Sequence, residues 1–300
     1  SALSALTSGA RNLAIGYQAL AANTTGSDNI MIGYQSGASA NDASFASTVG
    51  IGNYVFDGVA SGESPANNTA LGHYCLSGVM TNDADYNVAV GAYALQSVTS
   101  GGSNTAVGNT AGDALTSGEK NTALGTGTLT VATTALNNTA LGYNAMADVK
   151  AGVAVDGCVA IGYEALKGNS SNTTGLNGTV AIGTEALSLL TTGTANIAVG
   201  PLACKILTTG GYNTVVGYRA MDAADAGESS NIAIGASALG AMDEGASNSC
   251  DDNIAIGRNA GLSGADVTFD SNIAIGSYAL DGTSTQDVVN VIAIGRDALG

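Results

Sequence analysis

The chain has 300 residues and a formal net charge of −16, from 24 acidic and 8 basic side chains, with 43 Gly, two Pro, no Trp, three Phe and a single His. Lys and Arg are too few and too scattered for a phosphate-binding surface, which excludes nucleic acid as a partner. No run of about 18 apolar residues exists to cross a bilayer, so this segment is expected not to insert into a membrane.

Large core side chains are scarce, and Ala and small β-branched residues supply much of the apolar fraction, which suits a thin, layered core. The N-terminus has neither an initiator Met nor the basic-then-apolar stretch of a signal peptide.

The first predicted element is Asn12-Leu13-Ala14-Ile15, closed by Gly16 and followed after two residues by Ala19-Leu20. The same phrase returns at 29–32, 48–51, 68–71, 87–90, 104–107, 121–124, 138–141, 158–161, 179–182, 196–199, 213–216, 231–234, 253–256, 272–275 and 291–294, each time closed by Gly. That makes sixteen copies spaced 17 to 22 residues apart. The residue before the glycine is Ile, Leu or Val in all sixteen; the residue two before it is Ala in thirteen, and the residue four before it is Asn in twelve.

The phrase predicts a short strand whose side chains alternate between an aliphatic or Thr face and a face of Ala and Asn. The glycine allows a sharp change of direction. The Ala-Leu pair begins a second short segment, and a polar stretch such as Ala22-Asn23-Thr24-Thr25-Gly26-Ser27-Asp28 predicts the turn. All length variation falls in that turn, the pattern of a coil with constant cross-section. Helical solenoids need about 33 residues per repeat, and these coils are shorter and rich in Gly, Thr, Asn and Ser. The fold class is therefore all-β: a parallel β-solenoid of about sixteen 17–22-residue coils, running as one array over 1–300.

The four positions before each glycine and the Ala-Leu positions after it contain no Asp, Glu, Lys or Arg in any copy. Both strand faces avoid charge, whereas a lone solenoid needs only its inner face apolar. Two readings stand: the outer face is neutral but wet, lined by Asn ladders, or another chain covers it.

The phrases Asn231-Ile232-Ala233-Ile234-Gly235 and Asn272-Ile273-Ala274-Ile275-Gly276 resemble the head repeats of trimeric autotransporter adhesins. Asn138-Thr139-Ala140-Leu141-Gly142-Tyr143-Asn144-Ala145-Met146 also resembles repeats of phage and other viral tail-fibre proteins. The resemblance covers nearly the whole chain. It implies left-handed parallel β-rolls packed as a homotrimer on a cell or virion surface. The coils here are longer than the family's head repeats, and the extra residues are assigned to outward loops.

Chemistry is sparse. One His excludes a histidine-based triad or a multi-histidine metal site, and His73 occupies a position that is Tyr in other copies. No catalytic residue, cofactor or metal is expected. Acidic pairs such as Asp243-Glu244 and Asp251-Asp252 are read as solvated loop charge, because calcium-binding Gly-Gly-x-Gly-x-Asp repeats are absent.

The candidate surface residues are the tyrosines one or two places after a motif glycine: Tyr17, Tyr34, Tyr54, Tyr74, Tyr93, Tyr143 and Tyr163, with Tyr218 and Tyr278 in the same columns. They either bind a glycan or protein partner or stack on one another. Cys75, Cys158, Cys204 and Cys250 lie two or more coils apart, too far for a disulfide, and are expected to be free.

The chain opens in mid-repeat and closes on Ala298-Leu299-Gly300 with no cap at either end. The expectation is a piece of a longer array, or ends that abut further copies. The functional expectation is a structural or adhesive segment of an extracellular or virion fibre. It self-associates and has a host surface glycan or protein as a potential ligand. The alternatives are an end-to-end filament subunit, an ice-binding or glycan-binding solenoid, and a polysaccharide-cleaving β-helix. Thr three places before the glycine in only five copies argues against the ice-binding alternative.

Overall fold

Each coil supplies three residues, β-branched or Leu at the outer two places and small in the middle except for Met31 and Val215, a composition that favours extended backbone. A computed structural model describes residues 1–40, 45–149, 155–169, 175–224, 227–241, 250–262, 268–282 and 287–300. The chain divides into two units, 1–154 and 155–300.

Unit 1 contains β1 (Leu13–Ile15), β2 (Ile30–Ile32), β3 (Val49–Ile51), β4 (Thr69–Leu71), β5 (Val88–Val90), β6 (Thr105–Val107), β7 (Thr122–Leu124) and β8 (Thr139–Leu141). Unit 2 contains β9 (Val159–Ile161), β10 (Val180–Ile182), β11 (Ile197–Val199), β12 (Thr214–Val216), β13 (Ile232–Ile234), β14 (Ile254–Ile256), β15 (Phe269–Asp270), β16 (Ile273–Ile275), β17 (Val288–Val289) and β18 (Ile292–Ile294).

Within each unit the motif strands pair in parallel with their sequence neighbours and in strict register. Leu13 faces Ile30, Thr105 faces Thr122, and Ile254 faces Ile273. Strands β15 and β17 form a separate two-stranded ladder inserted between motif strands of unit 2. No helix occurs among the described residues. The chain is thus an all-β parallel solenoid.

Close approach between coils explains the motif glycine. A Cβ on Gly125 would meet the carbonyl oxygen of Gly142 at 2.5 Å, and one on Gly235 would meet that of Gly257 at 2.5 Å. The backbone there also takes φ of 136° and 135°, a region that side chains disfavour.

Three further places in every copy have positive φ: the residue five before the glycine, and those two and four after it. In the copy around Gly91 these are Tyr86 (φ 60°), Tyr93 (62°) and Leu95 (50°). A left-handed residue other than Gly costs roughly 1–2 kcal/mol. Backbone hydrogen bonds between neighbouring coils offset this: Gln35 N–H donates to Tyr17 O at 2.8 Å, Leu20 N–H to Ser36 O at 3.0 Å, and Asp28 N–H to Ala10 O at 3.0 Å.

The place four after the glycine is Leu in nine copies and never Val, Ile or Thr. Left-handed backbone excludes a branched Cβ. The Ala-Leu pair is therefore part of a turn with fixed backbone, and its Leu is buried: Leu20, Leu76, Leu95, Leu166 and Leu187 are wholly enclosed.

Burial overturns one expectation. The Asn and Ala face points inward, as with Ala89, Ala106, Asn87 and Asn104, so the wet outer Asn ladder does not exist. The interior is narrow enough that small side chains fill it, and Asn is admitted because every polar atom is satisfied there. Asn104 donates its backbone N–H to Asn87 Oδ1 at 2.9 Å. Its Nδ2 donates to the same Oδ1 at 3.2 Å and to Gly118 O at 2.8 Å. Asn121 repeats these three bonds on Asn104 and Ala135. In unit 2 the ladder runs through Asn196, Asn213, Asn231, Asn253 and Asn272. Burying an amide this way tethers the turn of each coil to the strand of its neighbour.

Candidate functional site

With Asn and Ala turned inward, the aliphatic residues one and three before the glycine form the outer sheet face. Leu13, Ile15, Ile30, Ile51, Val88, Val107 and Leu141 of unit 1 are each more than a third exposed. Ile197, Val216, Ile234, Ile256, Ile292 and Ile294 of unit 2 are too. At about 4.8 Å per strand, eight strands give each unit a ribbon on the order of 350 Å². The ribbon is uncharged and aliphatic, with Thr69, Thr105, Thr122, Thr139 and Thr214 interspersed, and its size matches the largest apolar patch of a typical monomer, which often marks an interaction site.

The tyrosines occupy the rim of the turn that follows this face. Five of the seven candidates come together in unit 1. Tyr17 stacks on Tyr34 with centroids 5.3 Å apart, Tyr34 meets Tyr54 edge-on at 5.3 Å, Tyr54 stacks on Tyr74 at 4.7 Å, and Tyr74 on Tyr93 at 5.9 Å. His73 lies edge-on against Tyr54, Tyr74 and Tyr93. The stacking covers most ring faces, leaving mainly edges for a ligand. Tyr143 stands three coils beyond Tyr93, and Tyr163 belongs to unit 2; both are about half exposed. In unit 2 the guanidinium of Arg258 lies 4.7 Å from the ring centroid of Tyr278.

Acidic turn residues act as acceptors between coils. Asp85 Oδ1 accepts from Ala66 N–H at 2.6 Å, Asp251 Oδ1 from Ser229 N–H at 2.7 Å, and Asp270 Oδ1 from Asp251 N–H at 2.8 Å. Asn177, Ser27 and Ser229 fill the same place, six before the glycine, and accept in the same way. Burial raises the Asp251 carboxyl above its ordinary range, partly offset by the Ser229 N–H. Asp243 and Glu244 lie outside the described residues. Among the described residues no group of three or more His, Cys, Asp or Glu is placed to hold a metal ion.

All four cysteines are free and buried. Burial pushes the Cys75 thiol up to about 12 and that of Cys158 up to about 11, and raises Cys204 further. These thiols are inert packing groups rather than nucleophiles.

Three features escaped sequence reasoning. Which strand face points outward is invisible when both faces lack charge. The acceptor column six before the glycine mixes Asp, Asn and Ser with Ala and Gly, so it has no residue signature. Tyr86 and Tyr212 stand before the phrase rather than after it, outside the columns that mark the rim. No protein-family model matches the chain, and no curated protein matches it.

Proposed function

We propose that this chain is a structural shaft or head segment of an extracellular or virion fibre, without catalysis, and that it self-associates as a homotrimer through the outward aliphatic ribbon. The observation that carries this reading is the outward sheet face, uncharged in every coil and exposed in most of them. A chain with net charge −16 keeps charge off this face entirely, which matches an apolar partner. Its ridges repeat with the coil spacing, and another copy of the chain has the same period, so identical ribbons interdigitate coil by coil. The motif phrases resemble the repeats of trimeric adhesins and viral tail fibres, which points to the same assembly and to a cell or virion surface.

Sedimentation equilibrium tests it. The expected mass is three times the 29.1 kDa of one chain. Val107→Glu combined with Ile234→Glu should reduce it to a single chain while circular dichroism stays unchanged, because both side chains point out of their own coils. A wild-type monomer at all concentrations rules the reading out, and mass that grows steadily with concentration favours the end-to-end filament.

A further inference from the structure

We infer that unit 1 carries a carbohydrate-binding groove on its turn edge, centred on Tyr86 and suited to a neutral polyhydroxylated sugar ring. The groove has a volume of about 430 Å³ and crosses the turns of three successive coils, at 82–86, 100–103 and 117–119. That size lies within the range of small-molecule sites.

Tyr86 supplies the apolar wall. It is 63% exposed and, unlike Tyr17, Tyr34, Tyr54, Tyr74 and Tyr93, packs on no other ring among the described residues. Its position is fixed through Ala66 of the preceding coil. Its own N–H donates to Ala66 O at 3.3 Å, and the preceding Asp85 is anchored through Oδ1 to Ala66 N–H. Gly102 lets two of these turns approach closely, since a Cβ there would lie 3.0 Å from the carbonyl oxygens of Asp83 and Asp85.

The polar wall is uncommitted. The carboxylate of Asp83 and the hydroxyls of Ser100, Ser103 and Ser117 make no side-chain hydrogen bond to any described residue, yet all four line the groove. The site therefore combines one exposed aromatic ring with groups that both donate and accept. A pyranose ring has the complementary make-up: an apolar C–H face, and adjacent hydroxyls that donate to carboxylates and accept from serines. Asp83, Asp85 and Glu119 repel anionic sugars and select neutral ones.

The same chain contains its own control. Tyr212 occupies the equivalent place in unit 2 and is 68% exposed, but Thr209 and Gly211 stand where Asp83 and Asp85 stand beside Tyr86. The groove draws on none of the outward strand residues, so its test is independent of the state of self-association.

The experiment is a glycan array of neutral and anionic oligosaccharides probed with the full chain, followed by calorimetric titration of the neutral ones, with and without a calcium chelator. Neutral sugars should bind, chelator should have no effect, and Tyr86→Asn should weaken binding by about tenfold or more. Asn is chosen because Asn67, Asn137 and Asn290 hold this left-handed place in other coils, so the variant folds. Tyr212→Asn should leave affinity unchanged. The proposal falls if no neutral saccharide binds up to about 10 mM. It also falls if binding needs calcium or is confined to anionic sugars, or if Tyr86→Asn binds as tightly as the parent.

Discussion

The two units share strand, glycine and asparagine ladder but differ at the rim of the turn. In unit 1 the two places after the glycine carry the contiguous aromatic series Tyr17, Tyr34, Tyr54, Tyr74 and Tyr93. In unit 2 the same two columns, with the residues just beyond them, hold ion pairs: Lys167 with Glu164 at 3.4 Å, Lys205 with Glu185, and Arg219 with Asp222 at 2.5 Å. The backbone is nonetheless the same, for the second residue after the glycine has positive φ whether it is Tyr74 or Glu185. The rim side chain is thus optional, whereas the inter-coil contacts of glycine and asparagine are not. Stability is governed from inside each coil, and the rim is left open to vary.

The cysteines make the two units separately observable, because Cys75 is the only thiol of unit 1 while Cys158, Cys204 and Cys250 lie in unit 2, all buried. Thiol labelling during denaturant titration therefore reports one thiol for unit 1 and three for unit 2. The largest effect is expected for Gly125→Ala and Gly235→Ala, each destabilising its own unit by about 3–5 kcal/mol through strain and backbone overlap. Gly295→Ala should cost less, about 1–3 kcal/mol from strain alone, because the nearest atom to its Cβ is Ala298 Cβ at 4.0 Å. Equal costs at Gly125, Gly235 and Gly295 would show that inter-coil approach is not the reason for the glycine.

A smaller effect is expected from Asn104→Ala in unit 1 and Asn231→Ala in unit 2. Each leaves the next asparagine's backbone N–H and one of its two Nδ2 hydrogens without an acceptor, at about 2–4 kcal/mol. Asn104→Thr should be milder, since Thr48 fills the place naturally, its N–H donating to Asn29 Oδ1 and its hydroxyl to Ala46 O. Chemical denaturation of the three variants checks the order, and a different cost in the two units would break the claim of a shared interior.

The smallest effect, and the one that separates the units, lies at the rim. Tyr74→Ala loses two stacked neighbours and should cost about 1–2 kcal/mol with little dependence on salt. Glu185→Ala releases a partly exposed Lys205 and should cost below about 1 kcal/mol, falling towards zero in about 1 M salt. Melting curves at low and high salt distinguish them; matching salt dependence would show that the rims stabilise in the same way.

The sequence by itself determined the architecture. A strand-length phrase repeated at 17 to 22 residues can bury its small face only against its own neighbours, and an unchanging glycine implies close backbone approach. It also determined which tyrosines share a column, and hence that Tyr17, Tyr34, Tyr54, Tyr74 and Tyr93 come near one another. The direction of the two strand faces was decided only by tertiary structure. Asn and Ala are small enough for either side, and no charge marks the wet one; what turns Asn inward is the presence, one coil away, of turn carbonyls and N–H groups that satisfy its amide. Tertiary structure likewise decided that Leu rather than Ile belongs after the glycine, through a left-handed backbone that only inter-coil hydrogen bonds hold. It also placed Tyr86 beside serines from two further turns, a neighbourhood that no spacing along the chain encodes.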